Sequence, residues 1–319
     1  MAVMHPPHGR GQFLARACSR AALVALMLAA GPAAAFDPSA LESVVSVLPD
    51  WPSDQPLPER PEGSGVAILA GGYIATNGHV LGDAKSLRVR LADGRILAAE
   101  IVGVDRLTDI ALIKAPVELP LREIAPPPPL GATVCAIGNP FGLGLSVSCG
   151  VVSAVHRTGT GFNPIEDFIQ TDATVNPGAS GGALLDADGR LVGMISAIFT
   201  KGADADIGVN FAASVGLVMR VVEDLAQHGR VIRGQSGLRV ADLDEAERTG
   251  ARITRVVPGG SADAAGLAAG DVITAIGTRA IRRASDVTSA IHMHRPGARI
   301  AVTYLRDGAR HVVDFELRP

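Results

Sequence analysis

Three short segments of this 319-residue chain carry side chains that together could run acyl transfer. That chemistry needs a hydroxyl nucleophile, an imidazole to take its proton, a carboxylate to orient the imidazole, and backbone amides to meet the oxyanion. Gly178-Ala179-Ser180-Gly181-Gly182, preceded by Asn176-Pro177, offers the first and last of these parts. Glycines on both sides let the chain turn tightly enough to present the Ser180 hydroxyl, and the N–H groups of Gly178 and Ser180 would form the oxyanion hole. Surface turns contain Gly and Ser routinely, so the segment alone says little. Thr76-Asn77-Gly78-His79-Val80 places a histidine just past an apolar strand, and Thr108-Asp109-Ile110-Ala111-Leu112-Ile113-Lys114 places an acid at the mouth of another. Singly, these are an exposed loop histidine and a strand-start acid capping a turn. In the order His79, Asp109, Ser180 they read as base, orienting group and nucleophile.

That order is the one found in chymotrypsin-like proteases, and the local words resemble the HtrA/Deg family of exported trypsin-like serine proteases. Further matching words are Ile137-Gly138-Asn139-Pro140-Phe141-Gly142, then Asp167-Phe168-Ile169-Gln170-Thr171-Asp172-Ala173, and Asn176 to Leu184. The resemblance covers about residue 40 to the C-terminus. It implies His79 as general base, Asp109 as its partner, Ser180 as nucleophile, no cofactor, and a homotrimer built through the protease domains. It also implies unfolded or misfolded polypeptides as substrates, cut after small aliphatic residues in envelope quality control. One departure is Ala179, where the family usually has Asn. Alanine cannot brace the turn with a side-chain hydrogen bond, so the resting loop is expected to be mobile or inactive until a partner orders it. This departure, together with the altered peptide-capture loop toward the C-terminus, motivates the alternative of a non-hydrolytic chaperone or stress sensor that holds chains in the cleft and PDZ groove. A third reading is a regulatory protease with one membrane-protein substrate.

Toward the C-terminus, Val257-Pro258-Gly259-Gly260-Ser261-Ala262, Ala265-Gly266-Leu267 and Gly270-Asp271-Val272-Ile273 resemble a PDZ domain. Such a domain captures a peptide as an added strand and cradles its terminal carboxylate in backbone amides. The corresponding loop is Arg233-Gly234-Gln235-Ser236-Gly237-Leu238, with Gln235 and Ser236 where an aromatic and a large aliphatic residue are usual. The segment from Ala241 to Gly250 also looks short. Gly237, Leu238, Val287 and Ile291 are the candidate peptide-binding residues, although core packing explains the last two equally well.

The elements that must position these groups read as mainly β. Aromatics make up only 3% of the chain, against 37 glycines and 21 prolines, which suits short strands and turns. A short helix is expected around Leu41 to Val47, then a surface loop over 49–63. Strands follow at Gly65–Leu69 and Tyr73–Thr76 about a Gly71-Gly72 turn, at Leu87–Leu91 before an Asp93-Gly94 hairpin signal, and at Ile110–Ile113. Pro126–Pro129 is a stiff spacer that marks a boundary near 123–131. A second set covers Ala132–Ile137, Ser146–Val155, Ala183–Leu185, Leu191–Ala197 and Ile207–Phe211, closed by a helix over Leu217–His228. The pattern restarts near Arg233, with strands at Leu238–Val240, Arg252–Val256, Val272–Ile276, Ile300–Leu305 and His311–Leu317, and helices near Ser261–Ala265 and Ser285–His292. The expected architecture is a chymotrypsin-like double β-barrel over 36–228 followed by a PDZ domain over 233–319.

The first 35 residues read as an export signal. Arg10, Arg16 and Arg20 precede the apolar run Ala21–Ala30, then Gly31-Pro32 and Ala33-Ala34-Ala35, with cleavage after Ala35 and delivery to the periplasm. An uncleaved anchor is the other reading, but ten to twelve apolar residues fall short of the ~20 needed to span a bilayer. Loss of those three arginines takes the net charge from −3 to −6, so no nucleic-acid partner is expected. Cys135 and Cys149 remain in an oxidising compartment and flank a turn-rich stretch. If it closes a hairpin they form a disulfide worth about 3 kcal/mol over a ~15-residue loop; two buried free thiols are the other reading. His292-Met293-His294 lacks a ligand set and is read as surface sequence with no metal. His156, His228 and His311 have no partner motif.

Overall fold

Short apolar runs broken by glycine turns build three β-structures in succession. The computed structural model describes residues 1, 36–50, 63–198, 208–244 and 250–319. The expected signal segment, Met1 aside, lies outside these residues, as do nearly all of the 49–63 loop and the first residue of the Ile207–Phe211 strand. Residues Pro38–Pro319 form one unit.

The first barrel is closed by β1 (Val44–Pro49), β2 (Gly63–Leu69), β3 (Tyr73–Asn77), β4 (Leu87–Arg90), β5 (Ile96–Asp105) and β6 (Ile110–Lys114), in the order β1-β2-β3-β6-β5-β4. The helix expected over Leu41–Val47 is instead a 3-10 turn, Pro38–Ser43, running straight into β1. The β-branched Val44, Val45 and Val47 are fully buried, and β1 pairs with both β2 and β4, so barrel closure overrides the local pattern. In the β3/β6 pairing, Asn77 stands opposite Ile110. That register places the residues just after β3 beside the residue just before β6.

The second barrel contains β7 (Thr133–Gly138), β8 (Ser146–Arg157), β9 (Phe168–Thr171), β10 (Ala183–Asp186), β11 (Leu191–Ile198) and β12 (Asn210–Ser214), in the order β10-β11-β12-β9-β8-β7. Cys135 and Cys149 face each other across β7 and β8 and are joined by a disulfide, with Cα atoms 4.0 Å apart. Ser214 ends β12 and caps α2 (Val215–His228), accepting the Leu217 N–H. A short helix, α1 (Gly78–Leu81), carries His79 in the first barrel.

The C-terminal sheet runs β13-β14-β15-β17-β18, from β13 (Leu238–Asp242), β14 (Ala251–Val256), β15 (Val272–Ile276), β17 (Arg299–Arg306) and β18 (Ala309–Glu316), with β16 (Arg279–Ala280) paired to β15. Helices α3 (Ser261–Ala264) and α4 (Ala284–His292) pack on it. Val287 and Ile291 of α4 are buried in this core with Ile253, Ile273 and Phe315, so core packing accounts for both.

The seam between this sheet and the barrels is polar. Asp167, almost fully buried, bonds to Arg279 Nη1 at 3.0 Å, His156 Nδ1 at 2.9 Å and the Ser214 hydroxyl at 2.6 Å. Burial alone would raise its pKa, but the His156 bond, the Arg279 charge and the Ser214 bond hold it below the usual carboxylate value. His156 therefore has a partner that no sequence motif revealed. Asp224 accepts Arg220 Nη1 at 2.6 Å, Ile232 N–H at 2.8 Å and Arg295 Nε at 2.9 Å. Contrary to the surface reading of His292-Met293-His294, His292 is half-buried near Arg233, Asp105 and Arg220, and desolvation with the Arg233 charge pushes its pKa down to about 4. A histidine whose pKa falls on folding stabilises the folded state only while neutral. That contribution is complete above pH 6.5 and is lost as pH falls toward 4. Thermal melts between these pH values should therefore show falling stability, and His292→Gln should remove part of that slope.

Candidate active site

The β3/β6 register brings His79 and Asp109 together. Asp109 has φ 57°, a left-handed conformation that is uncommon for a residue with a side chain. The surroundings hold it there through its carbonyl, which accepts Gly78 N–H and Asn77 Nδ2, both at 3.0 Å. Its carboxylate grips His79 twice: Oδ1 accepts the His79 backbone N–H at 2.8 Å, and Oδ2 lies 2.6 Å from Nδ1. An ionised carboxylate can only accept, so the Nδ1 contact places the ring proton on Nδ1 and leaves Nε2 as the basic lone pair. The imidazole is 51% exposed, open to a substrate in the cleft.

Ser180 sits in the turn entering β10. Gly178 has φ +98° and Gly181 φ +87°, and a Cβ on either would lie 2.3 Å from Asn139 O or 2.1 Å from Ser64 O respectively. Only glycine fits either position. Within this turn, Ala179 N–H donates to Asn176 O, Gly181 N–H to Ile195 O, and Gly182 N–H to Ala179 O. The N–H groups of Gly178 and Ser180 have no acceptor among the described residues. Neither has the Ser180 hydroxyl a partner there. The turn thus presents a free hydroxyl and two free amides, the set needed for a nucleophile and an oxyanion hole.

Sequence reasoning expected Ala179 to leave the turn loose. Instead its methyl is buried in the second-barrel core, and the carbonyls from Pro177 to Ser180 are all anchored. Pro177 O accepts Phe141 N–H at 2.7 Å, Gly178 O accepts the Ser64 hydroxyl at 2.8 Å, and Ser180 O accepts Ser64 N–H at 2.8 Å. Ser64, Thr76 and Ser196 were invisible as site residues because each looks like an ordinary polar residue in a strand. Yet Thr76 Oγ1 donates to Ser64 O at 2.7 Å, and Asn77 Nδ2 bonds Ser196 Oγ across the barrels at 3.2 Å. The only sequence signal was a buried hydroxyl between two glycines in an apolar run.

Beside the turn lies a cavity of about 210 Å³ whose walls include Ala136, Val147, Thr174, Ala179 and Ile195, with no ionisable side chain. It suits a small uncharged side chain. In the C-terminal sheet, Gly237 has φ +71°, and the amides of Ser236 and Gly237 have no acceptor among the described residues, next to the edge strand β13. Among the described residues there is no group of three metal-ligating side chains, and no helix is long and apolar enough to cross a membrane.

Residues 63–194 match the trypsin-like peptidase domain family and residues 206–317 the PDZ domain family. The second match begins before β12 and α2, yet β12 is paired to β9 and β11 in the second barrel. The chain is 38% identical over 270 residues to the periplasmic serine endoprotease DegP of Salmonella typhimurium, covering 80% of this chain and 56% of that protein. It is 37% identical over 283 residues to the periplasmic pH-dependent serine endoprotease DegQ of Escherichia coli, covering 85% of this chain and 61% of that one. It therefore spans little more than half the length of these relatives. Among solved structures, the HtrA-type protease AlgW with a tripeptide superposes with TM-score 0.69 at 35% identity, covering 88% of this chain and 97% of that one.

The geometry makes the three side chains unequal. Ser180→Ala and His79→Ala should each abolish labelling by a serine-directed fluorophosphonate. Asp109→Asn should leave the fold intact and slow labelling by about 10⁴-fold, because the wrong ring tautomer is then favoured. Intact-mass kinetics on the three variants would check this ranking.

Proposed function

The chain belongs to the HtrA-type serine proteases, and from that membership we propose that it is a periplasmic endopeptidase acting on unfolded or misfolded polypeptides. The matched HtrA-type structure covers 88% of the chain, and the observation that carries the chemistry is the free pair of amides at Gly178 and Ser180 together with the anchored His79–Asp109 pair. In the proposed cycle His79 Nε2 takes the Ser180 proton as Oγ attacks the scissile carbonyl. The oxyanion is met by the two amides, and the imidazolium gives its proton to the leaving amine. Water, deprotonated by the same imidazole, then releases the acyl group and regenerates Ser180. No cofactor enters the cycle.

The uncharged cavity beside the turn supports cleavage after small aliphatic residues. The protease domain is assigned to 36–228 and the PDZ domain to 233–319. The PDZ domain takes C-terminal peptides by strand addition to β13, with the Ser236 and Gly237 amides at the carboxylate. Export with cleavage after Ala35 and a homotrimer built through the barrels follow by analogy with the family. The chaperone or sensor reading loses one of its two motives, since Ala179 is a packed core methyl and the turn is braced by other groups; the other, Gln235 and Ser236 in the peptide-capture loop, stands, and the relatives, named as serine endoproteases, do not favour that reading.

Incubation of the protein from Phe36 onward with a reduced, unfolded protein should give fragments ending in small aliphatic residues, and Ser180→Ala should give none. Intact substrate with both proteins would reject the proposal. Light scattering of the same sample should give three times the chain mass, and a monomer would remove the trimer.

A further inference from the structure

Gly178 poses a mechanical problem for any oxyanion hole in this chain. With φ +98° and no Cβ, its flanking peptides rotate easily, and a side chain cannot stiffen it because a Cβ would sit 2.3 Å from Asn139 O. Rotation of the 177–178 peptide would swing Pro177 O toward the hole and turn the Gly178 N–H away. Hydrogen bonds from outside the turn must supply the restraint.

We propose that Ser64, on β2 of the opposite barrel, is a positioning residue for the oxyanion hole; this rests on the protease reading above. Its side chain is fully buried. Its Oγ accepts Asn139 N–H at 2.8 Å and lies 2.8 Å from Gly178 O. The direction of the second bond is forced: a backbone amide only donates, so the hydroxyl proton goes to Gly178 O. The Ser64 N–H meanwhile donates to Ser180 O at 2.8 Å. One residue thus fixes the carbonyls of both residues whose amides form the hole.

Ser64 also acts on the other side of Gly178. Asn139 and Phe141 belong to one short turn, and Phe141, left-handed at φ 55°, donates its N–H to Pro177 O at 2.7 Å. By holding Asn139 N–H, Ser64 ties that turn in place, and the turn in turn points Pro177 O away from the cleft. The Ser64 carbonyl closes the arrangement by accepting the Thr76 hydroxyl at 2.7 Å, three residues before His79. Base and oxyanion hole are therefore referred to the same point on β2.

Ser64→Ala removes both side-chain bonds while nearly keeping the volume. The expected result is a fall of about 10- to 100-fold in kcat, less than the loss from deleting a hole donor outright, with KM for a peptide substrate within about 3-fold. The affinity of a peptide boronic acid, which forms a tetrahedral adduct on Ser180, should fall by the same factor as kcat/KM. Ser46→Ala serves as the control, since Ser46 faces Ser64 across β1 and β2 and is equally buried; it should leave kcat and boronate affinity unchanged. Should Ser64→Ala not fold, Ser64→Cys keeps the shape with a weak donor and should still lose about 10-fold or more in kcat. A folded Ser64 variant with wild-type kcat and boronate affinity overturns the proposal. So does a variant whose melting temperature falls while boronate affinity per labelled site is unchanged. A wild-type protein that neither cleaves nor labels overturns the protease reading first, and this inference with it.

Discussion

Two backbone amides, those of Gly178 and Ser180, stay unpaired among the described residues, while the neighbouring Ala179, Gly181 and Gly182 amides are all taken. An amide left without a partner costs free energy, so a flexible turn relaxes until it finds one. The surrounding structure prevents that by occupying the carbonyls instead. With Pro177 O, Gly178 O, Ala179 O and Ser180 O each holding a donor, the peptide planes cannot rotate to pair the free N–H groups without breaking a bond. Vacancy at the hole is thus bought with saturation around it.

That saturation explains why two barrels are needed rather than one. The second barrel carries the nucleophile turn, but two of its anchoring donors come from Ser64 on the first. Close approach follows from composition: Gly181 lets the Ser64 carbonyl come within a distance no side chain would allow. On the first barrel the β3/β6 register does equivalent work, because a shift of one residue would carry Asp109 away from His79 and turn every β6 side chain to the other face. The cleft geometry is set by strand register and glycine contact, with few long side chains involved.

Much of this was legible in the sequence, and the failures have physical causes. The order of His79, Asp109 and Ser180, the glycines around the nucleophile and most strand positions follow from residue type and local pattern. The chain over Leu41–Val47 defeated local reading because its role as β1 is decided by partners far along the chain, β2 and β4. β9, only four residues long, is too short to show alternation. Ser64 was missed because a buried hydroxyl has no periodic signature; its meaning lies in two acceptor and donor groups more than seventy residues away. His156 and His292 failed for the same reason, since Asp167 and Arg233 reach them only in the folded state.

The polar seam follows a related rule. Asp167, Asp224, Asp286 and Asp105, which bond across it, each also keep a partner on their own side, whereas Glu223 holds only Arg295 among the described residues. Asp167 retains His156 and Ser214 if Arg279 leaves, and Asp224 retains Arg220 and Ile232 N–H if Arg295 leaves. Asp286 keeps the amides of Arg282 and Arg283 without Thr158, and Asp105 keeps the Thr108 hydroxyl without Arg233. Removing one partner of a buried ion pair is ordinarily costly because it strands a charge. Here the stranded charge is still hydrogen-bonded, and the departing arginines regain water. A seam built this way holds the PDZ-like sheet in one place yet separates at far lower cost than the apolar cores on either side of it, which have no such second partners.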